Sequence, residues 1–267
     1  MLDASGIIHV EDNLFLVAED ELDSLRFFEL DVINRSFTST GDEIVFGAGE
    51  SDFESLAYDA STESFFCIGS HGEDYSQRLV RFQLQDNKMV GLAEINFDAE
   101  QLLDEPVNIE GLSVWNGQLL VGYRSPNRSK RAVAVIYNLE SQAQTMTSFN
   151  LERRTIRDMV RVDRQDYLIL AGPERGKDYE KYAPRIYWWN GDIFYPELQV
   201  CHVELKDFRA EGIAIRKHVN GAIDLLVGSD ESKTKAADRF RLLYLQADNI
   251  QSLINDKHAM DELEVVF

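Results

Sequence analysis

The chain has 267 residues and carries 47 acidic against 27 basic side chains, a formal net charge of −20. Such a field repels phosphate backbones and anionic lipid, which argues against nucleic acid and membrane surfaces as partners. No run approaches the roughly eighteen apolar residues of a membrane span, and an apolar share of 44% is enough to build a core rather than a disordered chain.

In chain order, the first unit opens with Gly6-Ile7-Ile8-His9-Val10, turns at Glu11-Asp12-Asn13 and continues as Leu14-Phe15-Leu16-Val17-Ala18. A polar loop, 19–24, leads to a third strand at 25–30 and a fourth at 42–46. The same four-part order returns four times. Inner strands are expected at 52–57, 108–113, 155–160 and 209–214, each followed by an apolar second strand. Third strands are expected at 78–82, 132–137, 185–189 and 240–245, and fourth strands at 89–97, 145–151, 199–205 and 263–267. A helical turn is expected over 249–256. The third residue of each inner phrase falls at 5, 54, 110, 157 and 211, a spacing that suits propeller blades. The expectation is one all-β domain, a five-bladed β-propeller with four antiparallel strands per blade. The blades run over about 3–50, 51–105, 106–152, 153–206 and 207–267.

First and second strands are apolar on both faces, which suits sheets stacked between sheets; a sandwich strand keeps one wet face and alternates. Gly6, Ser55, Gly111 and Gly212 follow the third inner position in four units, and small residues there let strands crowd an axis. The chain ends fit whole blades, so ring closure by packing is expected rather than by a strand shared between the ends. Cys67 and Cys201 lie inside apolar runs and are expected as buried free thiols.

Two rings of positions are equivalent in place but different in chemistry, and both belong at one mouth of the central channel. The first is Ser5, Glu54, Glu110, Arg157 and Glu211; the second is Asp20, His71, Arg124, Pro173 and Asp230, with Glu174 and Arg175 just after. Converging carboxylates suit a hard cation such as calcium, for which Glu54, Glu110, Glu211, Asp20 and Asp230 are the candidate ligands. The same carboxylates also suit pairing with arginine across the channel. His71 and Asp158 are the candidate proton carriers. Arg124, Arg157 and Arg175 are the candidate binders of an anionic substrate group. No nucleophile elbow, phosphate-cradling glycine loop or H-E-x-x-H occurs, and no organic cofactor is expected.

The phrases Val17-Ala18-Glu19-Asp20-Glu21, Ile68-Gly69-Ser70-His71-Gly72, Glu110-Gly111-Leu112, Gly122-Tyr123-Arg124-Ser125-Pro126 and Ile156-Arg157-Asp158-Met159 come in a fixed order, with 168–173 after them. Together they resemble a bacterial family catalogued as domain of unknown function 3616, over about 3–214. That family is similar to propellers that include phytase-like and lactonase-like hydrolases. The resemblance implies the fold and lends no catalytic residues. Two functions stay open: a metal-assisted hydrolase of an ester, lactone or phosphoester, and a non-catalytic propeller that binds a small anionic ligand or a protein partner. The opening residues, Met1-Leu2-Asp3-Ala4-Ser5, have no signal-peptide pattern, so a cytoplasmic location is expected, or a periplasmic or secreted one if the chain is trimmed.

Overall fold

A computed structural model describes residues 4–19, 24–47, 52–70, 78–103, 106–126, 130–174, 178–205, 208–229 and 240–266. The fold is all-β, with one short helix among the described residues. Strands β1 (Ala4–Glu11), β2 (Leu14–Glu19), β3 (Ser24–Asp31) and β4 (Ser36–Val45) form the first antiparallel run. Three separate four-stranded sheets follow. They are β5 (Phe53–Asp59) to β8 (Lys88–Glu94) through β6 (Ser64–Gly69) and β7 (Leu79–Gln85), then β9 (Asn108–Trp115), β10 (Gln118–Ser125), β11 (Ala132–Tyr137) and β12 (Gln144–Phe149). The third comprises β13 (Thr155–Arg161), β14 (Tyr167–Gly172), β15 (Arg185–Trp189) and β16 (Leu198–Val200). The last run is β17 (Ala210–Lys217), β18 (Ile223–Ser229), β19 (Arg241–Ala247) and β20 (Asp261–Val266), with α1 (Ile250–Asn255) between the final two strands.

Inner strands meet in a cycle: β1 packs on β5, β5 on β9, β9 on β13, β13 on β17 and β17 on β1. Between each neighbouring pair of strand runs lies a cluster of buried apolar side chains. Phe27 and Leu16 meet Phe65 and Val80, for example, and Leu168 and Ile186 meet Leu225 and Ile213. Each run therefore gives both faces to a neighbour, which is why β6 and β14 are buried at every position. This is a propeller-like packing of radial sheets.

The ends are joined more firmly than packing alone. At the periphery β20 pairs in parallel with β4, Glu264 with Ser36 and Val266 with Thr38, so the first and last runs form one eight-stranded sheet. The expectation of closure by packing is corrected by these backbone hydrogen bonds. A second tie lies further in. Asp224, fully buried, accepts from Arg216 Nε at 2.8 Å, Tyr244 Oη at 2.8 Å and Gln246 Nε2 at 3.1 Å, and hydrogen-bonds His218 Nε2 at 2.8 Å. Arg216 then reaches across to the β1–β2 turn, donating to Asp12 O at 3.0 Å and to Asn13.

Fourth strands depart most from their expected bounds. β4 starts six residues earlier than expected, at Ser36. β16 ends at Val200; Cys201 N still donates to Ile186 O of β15 at 2.9 Å, and beyond it the backbone pairs elsewhere, His202 N with Leu253 O at 2.9 Å and Glu204 N with His258 O at 3.1 Å.

Candidate functional site

Each inner strand slips register against its second strand at one shared place, with a further slip in the β1–β2 and β9–β10 pairs. The residues left out of the ladder are Ser5, Glu54, Glu110, Arg157 and Glu211. A bulged residue has no cross-strand partner and bends its strand, which re-aims its side chain. Five bulges at equivalent positions around the cycle thus free five side chains from the blade faces. Three of them meet.

Arg157, buried to 1% exposure, donates from Nη1 to Glu110 Oε2 at 2.9 Å and to Glu211 Oε2 at 2.8 Å. Its Nη2 donates to Pro173 O at 2.6 Å. Gly172 makes room for it, since a Cβ there would stand 3.1 Å from Arg157 Nε. Arg124 binds the other oxygen of Glu110, Nη1 to Oε1 at 2.6 Å, and donates from Nε to Glu174 O at 3.1 Å. Glu110 is thus bridged by two guanidinium groups. Glu211 shares one of them and accepts from Tyr179 Oη at 3.2 Å, while Arg209 lies over the Tyr179 ring at 5.6 Å.

The two glutamates consequently titrate apart. Burial pushes Glu110 up, but the Arg157 and Arg124 charges outweigh it and hold its carboxyl below the usual range. For Glu211 burial wins: it outweighs the lowering charges of Arg157 and Arg124, and the neighbouring Glu110 charge repels, so the carboxyl is raised to about 7. Arg124, Arg157, Glu110 and Glu211 sum to zero when all are ionised. They carry one net positive charge once Glu211 is protonated.

One residue further along the inner strands lies a second layer. Asp158, 1% exposed, accepts from Ser55 Oγ at 2.6 Å, Met159 N at 2.8 Å and Ile213 N at 2.9 Å. Ser55 Oγ in turn accepts from Leu112 N at 2.9 Å. One carboxyl therefore ties β5, β9, β13 and β17 together about the axis. Burial pushes it well above the usual carboxylate range, against the pull of these donors. Small residues clear the space for this layer: a Cβ on Gly6 would sit 2.9 Å from Ser55 Cα.

Of the sequence candidates, the structure unites Glu110, Glu211, Arg157 and Arg124, with Asp158 just beneath them. Glu54 is half-buried on the β5 bulge, and Ser5 is buried on that of β1. Asp20, His71, Arg175 and Asp230 lie outside the described residues. Among the described residues no group of three or more His, Cys, Asp or Glu is arranged to hold a metal ion. Glu110 and Glu211 meet on a guanidinium, and a cation there would have to displace Arg157. Sequence reasoning missed Tyr179 and Arg209. Arg209 stands two residues before Glu211 and was within reach of the ring argument; Tyr179 sits in an irregular segment that carries no repeat signal.

No family model matches the chain, and no curated protein matches it. Among solved structures it is similar to the PQQ-bound aldose sugar dehydrogenase of Streptomyces coelicolor, at 8% identity and a TM-score of 0.49, over 91% of this chain and 94% of that one. It is also similar to a streptogramin B lyase, at 10% identity and a TM-score of 0.47, over 99% and 84%. Hydrazine synthase of Kuenenia stuttgartiensis is similar at 8% identity and a TM-score of 0.43, over 91% of this chain. The chain spans about three fifths of that protein, 62% of its length. These likenesses transfer no activity to this chain.

Proposed function

We propose that this chain is a five-bladed propeller, its eight-stranded sheet being two blades joined at their outer strands, and that the bulge-ring mouth binds a small anionic ligand. One observation carries the reading. In a chain of net charge −20, two arginines converge on this mouth, and one of the two glutamates that balance them is raised to about 7. Protonation of Glu211 releases part of Arg157 and leaves the cluster positive, so an anion is favoured there against the field of the whole molecule. Arg124, with 30% of its side chain exposed, makes the first contact. Calorimetric titration with malonate and with inorganic phosphate tests this. Binding should tighten as pH falls from 8 to 6 and be lost in Arg124→Gln; pH-independent binding, or binding that survives in Arg124→Gln, would sink the idea.

A hydrolytic reading is supported by the same pair in another way. Two carboxyls pushed apart in their proton affinity suit acid and base roles, and Glu211 is the one poised near neutrality. Calcium would fit only if Glu110 and Glu211 exchanged Arg157 for the metal, so no step is routed through it. Membership of the family catalogued as domain of unknown function 3616 belongs to this same proposal and rests on the ordered phrases alone. A panel of esters, lactones and phosphoesters, with and without calcium, decides the matter. Turnover abolished by Glu211→Gln supports hydrolysis, and no turnover with any of them leaves the binding reading.

A further inference from the structure

Between the β9–β12 and β13–β16 sheets the acidic molecule reverses its sign on an exposed patch. Lys130 and Arg131, just before β11, Arg153 in the β12–β13 turn and Tyr182 before β15 line a shallow crevice there, with Asn150 and Glu152. Lys181 lies over the Tyr182 ring at 5.1 Å. Lys130, Arg131, Arg153 and Lys181 are all exposed. Among the described residues none of these four has a carboxylate within ion-pairing distance. Glu152 lies among them but is engaged by other groups. Arg154 Nη1 donates to its Oε2 at 3.1 Å, Arg185 pairs with the same oxygen, and Tyr187 Oη donates to it at 3.1 Å. Even with Glu174, Asp178 and Glu180 counted beside Glu152, these six cationic side chains keep a surplus of two, on a molecule of net charge −20.

The backbone holds these groups in place. Arg131 is fixed to β12, donating from Nε to Ser148 Oγ at 2.9 Å and from Nη2 to Ser148 O at 3.0 Å. Glu152 and Arg153 are the central pair of a tight turn that Arg154 N closes on Leu151 O at 3.0 Å, and both are left-handed, with φ of 54° and 71°. Lys130 is left-handed as well, at 65°. Glycine and asparagine are the ordinary occupants of such positions, so long charged side chains are carried there at a conformational cost. Arg153, joined by Lys181, holds the Tyr182 phenol below the ordinary tyrosine range, as cationic surroundings should.

We propose that this patch docks a short acidic peptide segment of a partner protein, its carboxylates against Lys130, Arg131 and Arg153, with Asn150 and the Tyr182 hydroxyl left for its backbone. The polar walls suit an extended chain and give an apolar body nothing to bury. A nucleic acid strand is disfavoured because its charge runs on past the patch into the acidic field. A few carboxylates feel mainly the cations within about one Debye length, roughly 8 Å at physiological salt. Glu174, at the inner end of the crevice with Lys130 and Arg153, gives its carbonyl to Arg124 Nε at 3.1 Å. The patch thus borders the bulge ring without sharing its guanidinium groups, and stands whether or not that ring binds anything.

The test is fluorescence anisotropy of a dye-labelled hexaglutamate peptide titrated with the full chain at about 20 mM sodium chloride. Lys130→Gln and Arg153→Gln, both at exposed positions, should each weaken binding about threefold, the effect of one exposed ion pair, and the double variant about tenfold. Lys88→Gln, on β8 of another sheet, should leave it unchanged, and binding should fade toward about 200 mM salt. Absence of hexaglutamate binding overturns the proposal, as does equal affinity in wild type and the double variant, or an equal loss in Lys88→Gln. Binding lost in Arg124→Gln but kept in the double variant assigns the peptide to the bulge-ring mouth and overturns it too. A thymidine hexanucleotide that binds more tightly than the peptide has the same consequence.

Discussion

At the residue scale, Asp158 and Glu211 make opposite demands. Asp158 holds donors from three strands directly, and β9 through Ser55, so its loss would leave buried groups without partners. Asp158→Ala is expected to cost about 3–5 kcal/mol in urea denaturation, and Asp158→Asn, which keeps its size and an acceptor, less than half of that. Glu211 governs pH behaviour. Its proton affinity is higher folded than unfolded, so the folded state binds more protons between the ordinary glutamate range and about 7, and stability falls as pH rises through that window. Asp158 is shifted the same way and adds to the slope. Glu110 acts oppositely, its contribution being lost only as pH falls below the ordinary glutamate range. Thermal melts from pH 5 to 8 should show the decline, and Glu211→Gln should flatten it. Much of this cluster was legible in the sequence, because Glu110, Arg157 and Glu211 share one repeat position. The bracing role of Asp158 was not. Nothing in a string of residues shows that Ser55 and the Ile213 amide will converge on it from other repeats.

At the element scale, the informative units are the bulged inner strands and the outer strands that close the ring. Inner, second and third strands were readable from apolar runs bounded by turns, and 132–137 and 185–189 match β11 and β15 residue for residue. Fourth strands were not. Their outward faces are exposed, as in β8, where all seven positions are intermediate or exposed, so hydrophobic pattern marks their ends poorly. The parallel pairing of β4 with β20 was hidden for a related reason, since edge-to-edge pairing depends on where two peripheral strands arrive. Removing residues 261–267 deletes β20, splits the eight-stranded sheet and exposes the β4 and β19 edges. The truncated chain is expected to unfold at markedly lower urea concentration and to self-associate, measurable by sedimentation. Asp224→Ala strikes the second tie, leaving Arg216 largely buried without its carboxylate, and should destabilise by about 3–5 kcal/mol.

At the scale of the whole molecule, charge is distributed against its own average. The chain is strongly acidic, yet the channel holds a balanced Arg–Glu cluster at the bulge ring. The acidic field therefore works against anion binding at this mouth, and added salt screens both that repulsion and the local attraction. Contacts within the channel are short and sheltered, while the repulsion comes from charges spread over the surface, so screening reduces the second more. Affinity for malonate should accordingly hold steady or improve between about 20 and 200 mM sodium chloride, the reverse of what an exposed basic patch shows. Calorimetry across that range checks it.

The bulges bear on how such a chain can change over time. A side chain outside the ladder can be exchanged without altering the register of its strand or the core beneath it. Serine, glutamate and arginine already occupy equivalent bulges on one scaffold. The hub thus behaves as a set of sockets in a fixed frame, where a buried charge such as Arg157 has to be exchanged together with its partners Glu110 and Glu211.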